Sequence, residues 1–213
     1  MTPALQSHAV LALCRLAPVI PVLVIEEIDH AEPLAHALVE GGLPVLEVTL
    51  RTGCAIEAIS AMAGVHGARV GAGTVLSAHD AERAKHAGAE FAVSPGATPA
   101  LAAACTALDL PLLPGAATAS EVMALLELGY RTMKFFPAGP AGGAPMLKAL
   151  HGPLPQASFC PTGGVGLQNA GDYLSLPNVA CVGGSWVAPA AMMRAGDWDG
   201  IRELAHAASK LPR

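Results

Sequence analysis

The chain has little charge and few aromatic residues for its length. Of 213 residues, 14% are charged and 4% aromatic, against 53% hydrophobic. That balance excludes a disordered chain, which needs low hydrophobicity and high net charge. A long unbroken apolar run is also missing. The longest stretch, Leu16 to Ile25, is interrupted by Pro18 and Pro21. A membrane-spanning helix needs about 20 apolar residues, so no membrane association is expected. The first lysine or arginine is Arg15, so no basic segment precedes an apolar one and a secretory leader is not expected. The twelve basic residues form no run and the net charge is −5, which argues against nucleic acid as a partner. The five cysteines form no CxxC pair and the eight histidines no HxH or HxxxH pair. No metal site is signalled. The cysteines read as small buried hydrophobes in a reducing, cytoplasmic compartment. The length suits one domain, residues 1–213, with a core large enough to need no staples.

What the chain does contain is a repeat of short apolar runs. Candidate strands are Val19–Ile25, Pro44–Leu50, Arg69–Ala72, Phe91–Ser94, Pro111–Pro114, Thr132–Phe136, Ser158–Cys160 and Val179–Val182. Their starts are 20 to 26 residues apart, the length of a strand, a helix and two short loops. The segments between them carry helix signals. Thr52, Ser77, Thr98 and Thr118 stand as N-caps, Pro99 opens a first turn, and Gly41, Gly64, Gly88 and Gly129 stop helices. Thr2–Leu16 is predicted as an extra N-terminal helix, and helices are predicted over Leu167–Leu174 and Asp199–Leu211. Repeated βα units make a parallel sheet, and eight of them predict a closed (β/α)8 TIM barrel of α/β class. An open doubly wound sheet is the rival, but Ile25-Glu26-Glu27 after the first strand cannot cradle a pyrophosphate.

Polar residues in the strands point to chemistry. Lys134 lies in Thr132-Met133-Lys134-Phe135-Phe136, whereas Lys85, Lys148 and Lys210 fall on helices. Desolvation among Met and Phe disfavours its charged form, and a neutral amine is a nucleophile toward ketones. The bland alternative is a lysine that reaches out to water. Strand alternation puts Glu47, Thr49 and Arg51 on one side of Leu46–Arg51 and Leu46, Val48 and Leu50 on the other. The polar set then points into the barrel. Glu47 is a candidate general acid/base, with a buried Glu47–Arg51 ion pair as the alternative. Thr162-Gly163-Gly164 and Gly183-Gly184-Ser185 end the last two strands. Barrels commonly bind phosphate there, although glycines also serve ordinary turns. Gly71-Ala72-Gly73-Thr74, Ser94-Pro95-Gly96 and Pro114-Gly115 are small-residue strand ends that leave room for a ligand.

In order along the chain, the motifs Leu46–Thr52, Val70–Val75, Val93–Gly96, Lys134-Phe135-Phe136-Pro137, Pro161–Gly164 and Gly183–Trp186 resemble those of the 2-keto-3-deoxy-6-phosphogluconate (KDPG) aldolases, which are also described as bifunctional with 4-hydroxy-2-oxoglutarate (KHG) aldolase. The resemblance runs from about Val19 to Leu204. It implies a metal-free, cofactor-free class I aldolase on a (β/α)8 barrel, assembled as a homotrimer and acting on a small phosphorylated keto acid. Lys134 matches the Schiff-base lysine and Glu47 the acid/base. Arg51, Thr74 and Pro95 match positions around the pyruvate half. Phe136 packs by the lysine, Thr162 lies near the ketoacid, and Gly163, Gly164 and Ser185 match the phosphate site. Arg51 and Trp186 place the chain with the subgroup that has both. An aldolase for the galactonate epimer, a phosphate-binding barrel isomerase, and a non-catalytic phosphosugar-binding barrel are the alternatives.

Overall fold

The computed structural model describes residues 1–212. Helix α1 (Pro3–Cys14) precedes a series of parallel strands: β1 (Val19–Leu23), β2 (Val45–Thr49), β3 (Arg69–Gly73), β4 (Phe91–Val93), β5 (Leu112–Leu113), β6 (Gly115–Ala116), β7 (Thr132–Phe135), β8 (Ser158–Pro161) and β9 (Val182–Gly184). A 3-10 turn (Ile28–His30) leads into α2 (Ala31–Glu40). Further helices are α3 (Ala55–Ala63), α4 (Ala78–His86), α5 (Pro99–Ala107), α6 (Ala119–Leu128), α7 (Gly143–His151), α8 (Ala170–Leu174), α9 (Ala190–Ala195) and α10 (Trp198–Ser209). One ladder runs β5-β4-β3-β2-β1-β9 and a second runs β6-β7-β8. The result is an α/β fold on a curled parallel sheet. Only Pro114, which has no N–H to give a ladder, separates β5 from β6. Parallel bridges from Phe159 to Val179 and from Thr162 to Gly183 link β8 to the segment that ends in β9.

Alternation along β2 fixes the two faces. Leu46 and Val48 join the outer core, between sheet and helices, with residues such as Leu34, Leu38, Ile59 and Met62. Val45 joins an inner cluster with Ile20, Phe91, Val93, Leu113, Cys160 and Cys181. Val10, Leu13 and Cys14 of α1 belong to that inner cluster, so α1 covers one end of the curl. Two buried polar residues fasten it. Gln6 Oε1 accepts from the Leu112 amide at 3.2 Å and the Tyr130 hydroxyl at 3.0 Å. Ser7 Oγ accepts from the Arg131 and Thr132 amides at 2.8 and 3.3 Å.

Several local expectations hold at residue level. Ser77 and Thr98 cap α4 and α5 through their hydroxyls. Thr118 and Glu121 form a reciprocal capping box on α6, which ends on left-handed Gly129. Other expectations need correction. Thr52 does not cap α3: Cys54 occupies that position, and its thiol donates to the Ile25 carbonyl at 3.2 Å. The last strand lies at Val182–Gly184 rather than Val179–Val182, because it is Val182, Gly183 and Gly184 that pair with Val19, Ile20 and Pro21. The helix expected over Leu167–Leu174 starts at Ala170, after a turn in which Asn169 Oδ1 accepts from the Gly166 amide. Helix α9 was not anticipated, and the last helix starts at Trp198 and ends at Ser209. Four of the cysteines are buried, Cys54 is partly exposed, and all five are free.

Candidate active site

Among the described residues, Lys134 and Glu47 are the buried charged ones, at 5% and 3% exposure. Lys134 comes from β7 and Glu47 from β2, strands with β1, β9 and β8 between them around the curl. Both side chains point inward, and Lys134 Nζ donates to Glu47 Oε1 at 2.9 Å. The ammonium also lies 5.4 Å from the centre of the Phe136 ring, within cation–π range. The expected alternative of a Glu47–Arg51 pair is not found. Glu47 binds Lys134, and Arg51, whose side chain is exposed, forms no ion pair among the described residues.

A cavity of about 520 Å³ opens over this pair at the C-terminal ends of the strands. All ten residues to which the resemblance gives a site role line it: Lys134, Glu47, Arg51, Thr74, Pro95, Phe136, Thr162, Gly163, Gly164 and Ser185; of the small-residue strand ends after β3 to β5, only Thr74 and Pro95 do. Thr74 follows β3 with φ +60°, a left-handed backbone rare for a β-branched residue. Thr162 is buried beside Gly183, where an added Cβ would lie 2.2 Å from Thr162 Oγ1. Just past β8, Gly163 and Gly164 adopt φ +92° and +77°, which glycine tolerates without strain. The carbonyls of Thr162 and Gly163 accept from the Ala138 and Gly139 amides, and that of Gly164 from Asn169 Nδ2. In a trans peptide the N–H points opposite to the C=O, so the amides of Gly163, Gly164 and Val165 turn away from those donors. Trp186 packs on Gly184, where an added Cβ would overlap the indole.

Gly183 and Gly184 of the expected phosphate motif line the cavity too, and so do five residues to which sequence reasoning gave no site role: Val22, Val24, Thr49, Leu76 and Val165. Thr49 carried a signal, since it alternates with Glu47 on the inward side; its hydroxyl donates to the Leu23 carbonyl at 2.8 Å. Val24, Leu76 and Val165 carried none, because an apolar residue just past a strand looks like any other.

A family model described as KDPG and KHG aldolase matches residues 10–204. The chain belongs to the KDPG and KHG aldolase family. Among its aldolase relatives, the KHG/KDPG aldolase of Escherichia coli is 50% identical over 192 residues, 90% of each chain. A crystal structure of the KDPG aldolase of Zymomonas mobilis with 3-phosphoglycerate superposes with a TM-score of 0.93 at 51% identity, covering 97% of this chain and 98% of that one. A crystal structure of the Legionella pneumophila KDPG aldolase, with pyruvate captured as a covalent carbinolamine, gives 0.91 at 49% identity, covering 94% and 98%. These aldolases share the fold over nearly the whole length, so the buried lysine–glutamate pair lies in a known aldolase framework.

Proposed function

We propose that this chain is a class I aldolase that cleaves KDPG to pyruvate and glyceraldehyde 3-phosphate, and KHG to pyruvate and glyoxylate. The observation that carries the reading is the buried Lys134–Glu47 pair, 2.9 Å apart under the cavity. The carbinolamine of pyruvate in the Legionella relative supports it, as does the name of the bifunctional Escherichia coli relative.

Lys134 gives up a proton to Glu47, which frees its lone pair to attack the C2 ketone. The carbinolamine loses its hydroxyl as water, with Glu47 returning the proton, and leaves an iminium on Nζ. Glu47 then takes the C4 hydroxyl proton. The C3–C4 bond breaks, its electron pair moves into the iminium, and the aldehyde departs from an enamine. Protonation at C3 and addition of water at C2 release pyruvate and restore the lysine. Proton transfer of this kind contributes ~10²–10⁴-fold. Arg51 suits the substrate carboxylate, because a guanidinium binds it through two parallel hydrogen bonds. Thr74 and Pro95 flank the pyruvate half, and Phe136 and Thr162 border the ketoacid chain. Gly163, Gly164 and Ser185 hold the phosphate through amides and a hydroxyl.

The two isolated bridges between the segments of β8 and β9 and the single-proline gap between β5 and β6 support a closed (β/α)8 barrel in one domain, with α1 as its extra N-terminal helix. The resemblance to the family supports a homotrimer, and five free cysteines support a cytoplasmic setting. A coupled assay for pyruvate release from KDPG tests the reading. Steady turnover is expected; no release from either KDPG or KHG would overturn it.

A further inference from the structure

The Gly71-Ala72-Gly73-Thr74 segment has a second use for its small residues besides room for a ligand. Gly73 ends β3, in register with Thr49 of β2 and one inward position beyond Glu47. A Cβ added at Gly73 would lie 2.4 Å from Glu47 Oε1, 2.6 Å from its Cγ and 2.9 Å from its Cδ. Ordinary contact begins at 3.4 Å, and real Cβ atoms essentially never come within 3.0 Å. The oxygen nearest to that missing atom is the one that receives Lys134 Nζ at 2.9 Å.

Backbone freedom does not explain this glycine. Gly73 lies in a strand and is not among the glycines with positive φ, so other residues could adopt its conformation. Glycine inside a strand weakens it and marks a close approach by another group. Here the approaching group is the Glu47 side chain, which passes close against Gly73 as it reaches Lys134. Two residues earlier, Gly71 makes the same kind of space for a different group, the Phe91 ring, at 2.4 Å from its own missing Cβ.

We infer that Gly73 is a positioning residue: its missing side chain provides the space that holds the Glu47 carboxylate on Lys134. The inference rests on the acid/base assignment of Glu47 made above. The crowded atoms, Cγ, Cδ and Oε1, all belong to one flexible side chain and none to backbone, so a methyl group at 73 displaces that side chain rather than breaking the sheet. A displacement on the order of 1 Å costs ~10²-fold in rate when it spoils catalytic geometry.

The test is a double-mutant cycle read in turnover and in thermal midpoint. Gly73→Ala is expected to lower kcat on KDPG by about 10²-fold, with a much smaller change in KM, and to lower Tm. In a Glu47→Ala background, where the Cγ and carboxylate are gone, Gly73→Ala is expected to cost neither turnover nor Tm. Additive losses in the two backgrounds would show that residue 73 acts independently of Glu47 and would overturn the inference. If Gly73→Ala alone does not fold, recovery of the fold in the double variant supports the contact, and failure to recover overturns it. Full turnover by Glu47→Ala would remove the catalytic reading itself, whatever the Tm cycle says of the contact.

Discussion

Lys134 and Glu47, 87 positions apart in the chain, meet at 2.9 Å inside the curl of the sheet. Neither partner is favoured there by burial alone. The desolvation of a buried ion pair offsets much of its attraction, and an apolar pair of similar volume is often as stable. The stability of the fold therefore gives weak grounds for keeping these two residues, and their chemistry gives strong ones. The inner cluster beneath them, with Phe91, Val93, Leu113 and the α1 residues Val10 and Leu13, supplies the apolar floor on which the pair is held.

Glu47→Gln keeps the shape of the side chain and removes its capacity to take a proton. Turnover on KDPG is expected to fall ~10²–10⁴-fold, with the fold retained by circular dichroism. Near-normal kcat in this variant would take Glu47 out of the mechanism.

The exposed Ser185 borders the cavity beyond Gly184. A hydrogen bond to a charged group contributes roughly 1.5–3 kcal/mol, so Ser185→Ala is expected to raise KM for KDPG by about tenfold or more. KHG has no phosphate, and its KM should barely move. Parallel increases for the two substrates would place the phosphate elsewhere.

The α6 capping box makes a prediction about acid. The Glu121 carboxylate is held below its ordinary value of 4.5, first by the Ala117 amide and then by the Thr118 hydroxyl. A carboxyl group lowered in the folded state stabilises above its unfolded value, and that contribution is lost as pH falls through the folded one. Glu121→Gln should therefore have a lower Tm than the parent protein near neutrality, with the gap closing as the pH drops below 4.5. Thr118→Ala should cost about 1 kcal/mol at neutral pH. A gap between Glu121→Gln and the parent that stays constant down to acid would show that the carboxylate charge is not what the box uses.

The sequence carried the strands and the polar residues inside them because each has a local signature. Periodic apolar runs marked seven of the eight expected strand positions closely. Lys134 and Glu47 stood out because an ionisable residue in such a run has no local reason to be there. What stayed hidden depends on contacts between distant segments. The place of β9 is set by pairing with Val19–Pro21, which no window around Val182 reveals. The fastening of α1 relies on Gln6 and Ser7, polar residues that look like ordinary helix surface until their partners near residues 112 and 131 are known. The role argued for Gly73 needs the position of Glu47 in space, since its own neighbours in sequence read only as a small-residue strand end.

The central claim is that the Lys134 amine forms the Schiff base, and trapping with pyruvate and borohydride tests it most directly. Reduction fixes the iminium as a stable secondary amine that adds one reduced pyruvate to the chain, and peptide mapping locates it. Lys85, Lys148 and Lys210 are the other candidates, and all three are on or beside outer helices rather than in the cavity. The adduct is expected at Lys134 alone, and Lys134→Ala is expected to abolish both trapping and KDPG turnover. Arginine at that position should not restore either, because it does not deprotonate. An adduct mapped to Lys85, Lys148 or Lys210, or KDPG turnover that survives in Lys134→Ala, would contradict the account.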